Sequence, residues 1–232
     1  MKVIVTCGPS YEPVDEVRRI TNFSTGELGA LLSVRLASEG ADVVCLRGAA
    51  ATHPAPAGTE TRTFTTNDDL AARFCELADE GEVAAIFHAA ALCDYRVMRI
   101  TSADGVGIAG AKIASRSGGL TIHLEPATKI IRELRGWFPR SRIVGWKYEL
   151  DGTPPDAIQK ARSQILESDT DACVINGRAY GEGFGILSPS GEIEHVEDKK
   201  CLCEFLARWL ELRSSERGND SAMVAERLAP VA

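Results

Sequence analysis

Between Thr6 and Gly29 the chain sets out Gly8, Ser10, Glu12, Asp15, Arg18, Asn22, Ser24, Thr25 and Gly26, directly after the apolar triplet Val3, Ile4 and Val5. Free backbone N–H groups at a helix start can hold a phosphate, and Gly26 and Gly29 leave room for a ligand or a strand to approach the main chain. Ser24 and Glu27 have the S-x-x-E spacing of a capping box, so the same residues also read as a helix start with glycines for close packing. A second stretch, Ala89-Ala90-Ala91-Leu92-Cys93-Asp94-Tyr95-Arg96, follows the most apolar strand candidate. Ala90 and Ala91 let a ligand reach the backbone there, while Asp94 either accepts hydrogen bonds from a base or sugar or pairs with Arg96. Lys112-Ile113 stands in a Gly-, Ala- and Ser-rich stretch, where a lysine is a mobile cation suited to a polyphosphate or is simply solvated. Trp146, beside Lys147, is placed to stack on a base or to join the core.

These residues need a scaffold, and the hydrophobic pattern supplies one. Strand candidates at 3–6, 42–46, 83–90, 142–146 and 172–176 alternate with helical patterns ending at 39 and spanning 68–78, 129–138, 156–167 and 199–212. The alternation predicts an α/β domain, a mostly parallel, Rossmann-like sheet with helices on both faces. The first strand-to-helix crossover of such folds is a ligand site. Gly40 suits a C-terminal cap, and Thr66 or Asn67 suits the start of the next helix. Two regions break the rhythm: 97–119, rich in Gly, Ala and Ser, reads as a flap-like excursion, and 213–232 as a tail outside the domain formed by 1–212. No internal repeat is evident.

Composition narrows the partners. A net charge of -7, with no clustered basic tract, argues against nucleic acid and anionic membranes. No signal-peptide pattern and no apolar run near the roughly 18 residues of a membrane span occur, so a cytoplasmic protein is expected. The seven cysteines are scattered, apart from the C-x-C of Cys201 and Cys203, which has no second metal-like pair. They read as reduced thiols, several in strands as small core residues, with Cys93 beside Asp94 the one of interest, and no metal site is expected.

The first stretch closely resembles the N-terminal signature of the phosphopantothenoylcysteine synthetase (phosphopantothenate-cysteine ligase) family, T-x-G-x-T/S-x-E-P-x-D-x-V-R followed by I-S/T-N-x-S-S/T-G-x-x-G. The matching residues are Thr6, Gly8, Ser10, Glu12, Pro13, Asp15, Val17, Arg18, Ile20, Thr21, Asn22, Ser24, Thr25, Gly26 and Gly29. The second stretch is similar to the family's A-A-V-A-D-Y-R, and Lys112-Ile113 to its K-I-K-K, with Ala114 and Ser115 in place of two lysines. Val144-Gly145-Trp146-Lys147-Tyr148-Glu149 resembles the G-F-K-L-E form of eukaryotic and some stand-alone bacterial ligases. Gly183-Phe184-Gly185 resembles the G-F-G turn that follows. Gln164 and Ser168 occupy the positions of two lysines in the K-L-x-x-K-x-x-D of many bacterial members, so other cations such as Lys147, Lys160 or Arg178 would have to serve.

The resemblance covers about 3–206 and implies a ligase that activates 4'-phosphopantothenate with CTP or ATP, carried with Mg2+, and joins it to L-cysteine. It implies that Asn22 and Arg18 convert the acyl nucleotide to product, that Lys112 acts when that intermediate forms, and that Asp94 and small residues near Ala90 and Ala91 contact the nucleotide. Family members pair as homodimers with a flap crossing toward the partner, the role expected of 97–119. Many bacterial members carry a flavin-dependent decarboxylase ahead of this domain; this sequence starts at the ligase motif, so no flavin is expected. Two alternatives stand beside the ligase. A nucleotide-binding regulator that lost catalysis would account for the missing lysines. An NAD(P)-dependent reductase shares the α/β order, but it would need a close-spaced glycine fingerprint and a Tyr-x-x-x-Lys pair, and both are absent.

Overall fold

The computed structural model describes residues 1–114 and 118–211. Ser115, Leu212 and the tail 213–232 lie outside the described residues. The run Val3, Ile4, Val5 is fully buried and forms the centre of β1 (Lys2–Cys7). Its neighbours in space are β4 (Asp42–Gly48) and β6 (Ala85–His88), both parallel to it. The sheet has eight strands, extended on one side by β5 (Glu60–Phe64) and on the other by β9 (Arg142–Tyr148), β10 (Ala172–Asn176), β11 (Phe184–Leu187) and β12 (Ile193–Val196). The six strands β5-β4-β1-β6-β9-β10 run parallel, and β11 and β12 add an antiparallel edge. Taken in chain order the parallel strands give the doubly wound order 3-2-1-4-5-6, which reverses direction between β1 and β6.

Successive side chains of a central strand enter opposite cores, so such strands are apolar without alternation. Val3 and Val5 join one cluster with Leu32 and Leu36 of α1 (Glu27–Ser38) and Leu202, Leu206 and Leu210 of α5, which spans 199–211. Ile4 joins the other with Leu70, Phe74 and Leu77 of α2 (Asn67–Glu80) and Ile130 and Leu134 of α3 (Ile130–Trp137). Ala157, Ala161 and Ile165 of α4 (Pro154–Ser168) cover β10 on that same side with Cys173 and Ile175. Helices thus lie on both faces, as expected.

Local signals hold at several helix ends. Thr66 caps α2 by accepting from the Asp69 N–H, and Asp156 accepts from the Thr153 N–H at 2.8 Å at the start of α4. Gly40, at φ +86°, follows the last turn of α1. The capping box expected of Ser24 and Glu27 is absent. The N-cap is Gly26 in the left-handed region, the Glu27 N–H reaches Thr25 Oγ1 at 3.3 Å, and the Glu27 carboxylate pairs with Lys199 on α5.

Two hairpins stand apart from the main sheet. β2 (Tyr11–Pro13) pairs with β3 (Arg19–Thr21) inside the long first crossover. β7 (Tyr95–Ser102) pairs with β8 (Leu120–Pro126), so the excursion expected at 97–119 is a two-stranded ribbon with its connecting loop.

Candidate active site

The reversal between β1 and β6 opens a crevice at the carboxyl ends of the strands, and the loops leaving those strands are stitched together across it. The Ala91 N–H reaches Gly8 O at 3.0 Å and the Ser10 N–H reaches Ala91 O at 3.2 Å. The Cys93 N–H donates to Ser10 Oγ at 2.8 Å. Thr6 Oγ1 accepts from the Ala90 N–H at 3.0 Å and lies 3.0 Å from His88 Nδ1. Thr6 and Ser10 are fully buried, so their hydroxyls serve the loops. Gly8, Gly26 and Gly29 also serve packing. A Cβ on Gly29 would lie 2.4 Å from Cys7 Cβ, and one on Gly8, at φ +77°, would lie 2.6 Å from Ala51 Cβ. Of the two readings of Gly26 and Gly29, close approach of a strand is the one realised at Gly29.

A cavity of about 410 Å³ lies on the α3 and α4 side of this seam, within the usual range for small-molecule sites. Its floor is formed by Asn67, His88, Ala90, Leu92, Cys93 and Asp94. Lys129, Arg132, Trp146, Lys147, Lys160, Gln164, Glu167 and Ser168 stand around it. The structure therefore gathers Ala90, Asp94, Trp146 and Lys147 from the sequence reading. Gly8, Ser10, Ser24, Thr25, Gly26 and Ala91 are not among the lining residues.

Asp94 does not pair with Arg96. Its carboxylate meets Lys129 at the head of α3, and Arg96 meets Glu125 across the ribbon. Trp146 packs against the core beneath α1 and α5, and its indole N–H is buried with no partner among the described residues. Lys160 reaches Glu149 at 2.5 Å, which raises its pKa. Arg178, the third cation considered, faces Asp151 and the Leu150 carbonyl and is not part of the lining. Lys129 and Arg132 are cations that the sequence did not single out; only the docking of α3 against α4 brings them here.

The hairpin β2–β3 and the flap meet beside this floor. Asp15 Oδ1 accepts from the Val17 and Arg18 N–H groups at 2.9 and 2.8 Å, and Oδ2 accepts from the Ile113 N–H at 3.0 Å. Arg18 Nη2 lies 2.8 Å from Asp15 Oδ2 and donates to Ile113 O at 2.5 Å. Both polar groups of Ile113 are thus clasped, its side chain is buried, and the neighbouring Lys112 is exposed without an ion-pair partner among the described residues. Hydrogen bonds to the carboxylate, the Ile113 N–H foremost, hold the Asp15 pKa down. Asn22 Nδ2 donates to Leu92 O at 2.9 Å, tying the end of the hairpin to the loop of Asp94.

Burial decides the chemistry of two further groups. The Cys93 thiol is 7% exposed, and burial pushes its pKa up, so it is a packed thiol and no ready nucleophile. Burial pulls His88 down to about 4, leaving it neutral near pH 7. Among the described residues no group of three His, Cys, Asp or Glu side chains is arranged to hold a metal, and no helix is long and apolar enough to cross a membrane.

Fold and site together define a doubly wound α/β protein with a polar, cation-rimmed cavity beside its topological switch point. Residues 1–201 match the DNA/pantothenate metabolism flavoprotein C-terminal domain, and the chain belongs to that family. It is 30% identical over 182 residues to the coenzyme A biosynthesis bifunctional protein CoaBC of Thermococcus kodakarensis, covering 78% of this chain and 42% of that protein. It is 28% identical over 207 residues to a cysteine/cysteine sulfinic acid decarboxylase of an unknown prokaryotic organism, covering 85% of this chain and 54% of that protein. The chain thus spans about half the length of these relatives. The DNA/pantothenate metabolism flavoprotein of Streptococcus pneumoniae shares the fold, with a TM-score of 0.81 at 24% identity over 92% of this chain and 99% of that one.

Proposed function

We propose that this protein is a ligase of coenzyme A biosynthesis that joins 4'-phosphopantothenate to L-cysteine through an acyl-nucleotide intermediate, using CTP or ATP. The two curated relatives carry different activities in their names, so the reaction is argued from this chain's own residues. The observation that carries the reading is that the first stretch touches both others: Arg18 holds the Ile113 carbonyl beside Lys112, and Asn22 holds the Leu92 carbonyl beside Asp94. Three segments far apart in sequence are thereby tied together, and of them the Leu92–Asp94 segment lines the cavity.

A carboxylate is a poor electrophile. In the first step its oxygen attacks the α-phosphorus of the nucleotide, the bond to the β-phosphate oxygen breaks, and pyrophosphate leaves with that electron pair. Lys112, the exposed cation on a clasped peptide, offsets charge on the departing phosphates. Magnesium would arrive on the triphosphate and would supply charge neutralisation there; the cavity carboxylates Asp94 and Glu167, paired with Lys129 and Arg132, would hold it on release from those cations. In the second step the cysteine amine attacks the acyl carbon, the nucleoside monophosphate leaves, and the nitrogen loses a proton to solvent. Arg18 and Asn22 orient the acyl group and stabilise its oxyanion. Lys129, Arg132, Lys147 and Lys160 take over the role of the lysines replaced by Gln164 and Ser168. No covalent enzyme intermediate is needed, which suits the buried Cys93 thiol.

Cytoplasmic action as a homodimer belongs to the same proposal. The ribbon leaves Tyr95, Met98, Val106, Leu120 and Leu124 exposed, an apolar set that pairing with a second copy would cover. The test is a reaction run without cysteine. Mass spectrometry should show 4'-phosphopantothenoyl nucleotide, which added cysteine converts to 4'-phosphopantothenoylcysteine. Lys112→Ala should slow the first step by about a hundredfold or more. Folded protein that forms neither species with either nucleotide would refute the ligase.

A further inference from the structure

The cavity floor holds two neutral polar groups that the reaction just described does not use. Asn67 is 3% exposed at the first turn of α2. Its Nδ2 donates to Cys93 O at 2.9 Å and to Thr128 O at 3.2 Å. Two carbonyls can only accept, so the amide orientation is fixed. Asn67 Oδ1 is then left buried with no partner among the described residues. A buried acceptor without a donor is costly, which marks it as a group awaiting one.

His88 is the other group, 6% exposed at the carboxyl end of β6, with its ring edge-on to Phe74 at 6.0 Å. Its tautomer follows from its neighbours. The Thr6 hydroxyl is fully buried and accepts from the Ala90 N–H. His88 Nδ1 is the other polar atom within hydrogen-bond distance of it among the described residues, so donating to Nδ1 is what keeps the hydroxyl proton from being buried unpaired. Nδ1 therefore accepts and Nε2 carries the hydrogen. No described residue takes up that Nε2–H. The floor of the cavity thus offers one fixed acceptor and one fixed donor, while the cations Lys129, Arg132 and Lys160 stand at the exposed rim, with half or more of each side chain open to solvent.

We infer that Asn67 and His88 determine nucleotide specificity, reading the edge of the base on which an exocyclic amino group adjoins an unprotonated ring nitrogen. The amino group donates to Asn67 Oδ1 and the ring nitrogen accepts from His88 Nε2–H, while the triphosphate lies toward the cationic rim. Cytosine and adenine present that edge. Uracil and guanine present a carbonyl beside a protonated ring nitrogen, which sets acceptor against acceptor and donor against donor. The inference rests on the nucleotide reading above and adds to it the residues that select the base.

The experiment is calorimetric titration with the α,β-methylene triphosphates of cytidine, adenosine, uridine and guanosine, whose α–β bridge cannot be cleaved, with magnesium and 4'-phosphopantothenate present. The cytidine or adenosine analogue should bind at least about tenfold more tightly than the uridine and guanosine analogues, the scale of one mismatched buried hydrogen bond. His88→Phe, which keeps an aromatic ring against Phe74 but removes both ring nitrogens, should weaken the preferred analogue by about tenfold and flatten the discrimination. Nitrogen-15 spectra of histidine-labelled wild-type protein should show an Nε2–H tautomer for His88 whose Nε2 signal moves with the preferred analogue. Equal binding of all four analogues, or an unmoved His88 signal at saturation, overturns the inference and leaves the ligase reading standing. Binding of none of the four overturns both.

Discussion

Replacing Ser10 by alanine separates a residue that holds the site together from one that touches a ligand. Ser10 is fully buried, and its Oγ accepts the Cys93 N–H at 2.8 Å. Alanine fits the same backbone, but it leaves that N–H without its acceptor in a buried residue. Leaving a buried donor unpaired costs about 1–3 kcal/mol. For a chain of this size each kcal/mol moves the melting temperature by roughly 2–4 °C, so a central value of about 2 kcal/mol predicts a fall of about 4–8 °C. The assay is thermal unfolding followed by circular dichroism, with amide exchange read at Cys93. The Cys93 amide should exchange faster in the variant, and nucleotide affinity should fall less than stability does. An unchanged melting temperature combined with lost nucleotide binding would refute the reasoning, because the hydroxyl would then have to meet the ligand directly.

Other perturbations probe the same framework. Gly29→Ala sets a methyl 2.4 Å from Cys7 Cβ, so α1 must move off β1; a loss of about 1–3 kcal/mol in denaturant midpoint experiments is expected. His88 is held down from 6.5 to about 4, so between these values the unfolded chain binds a proton that the folded protein refuses. Its contribution is therefore complete above about pH 6.5 and declines as pH falls toward 4, by about 3 kcal/mol in all; denaturation at several pH values should show His88→Phe losing less stability than wild type over that window. Met98→Asp with Leu124→Lys, placed on the exposed apolar ribbon, should convert a dimer to monomer in sedimentation velocity, and a wild-type protein that is already monomeric would exclude the homodimer.

Much of the frame was legible in the chain because central strands are apolar on both faces. Val3 to Val5, the 42–46 segment and the 172–176 segment needed no tertiary knowledge. β5 was hidden because Glu-Thr-Arg-Thr-Phe is an edge strand with only Phe64 fully buried. The flap strands were hidden because β7 carries its buried pair, Ile100 and Thr101, side by side next to a register shift, which destroys the period of two. Of the 89–96 stretch, Ala90, Leu92, Cys93 and Asp94 line the cavity and Ala91 does not. Lys129 and Arg132 gave no local sign, since an isolated basic residue at a helix start has no assigned partner until α3 and α4 pack together. Asn67 looked like a helix-start residue and His88 like the end of a strand. A polar residue closing the apolar run Ala85-Ile86-Phe87 was the signal available for His88. The S-x-x-E spacing misled because Gly26, free to adopt positive φ, took the N-cap position itself.

The most direct measurement is pyrophosphate release by the purified protein with magnesium, 4'-phosphopantothenate, L-cysteine and either CTP or ATP, set beside Lys112→Ala. Release should require 4'-phosphopantothenate, occur with at least one of the two nucleotides, and be lost in the variant although it remains folded. Nucleotide binding without release by folded wild-type protein would contradict it and leave a binding protein that has lost catalysis.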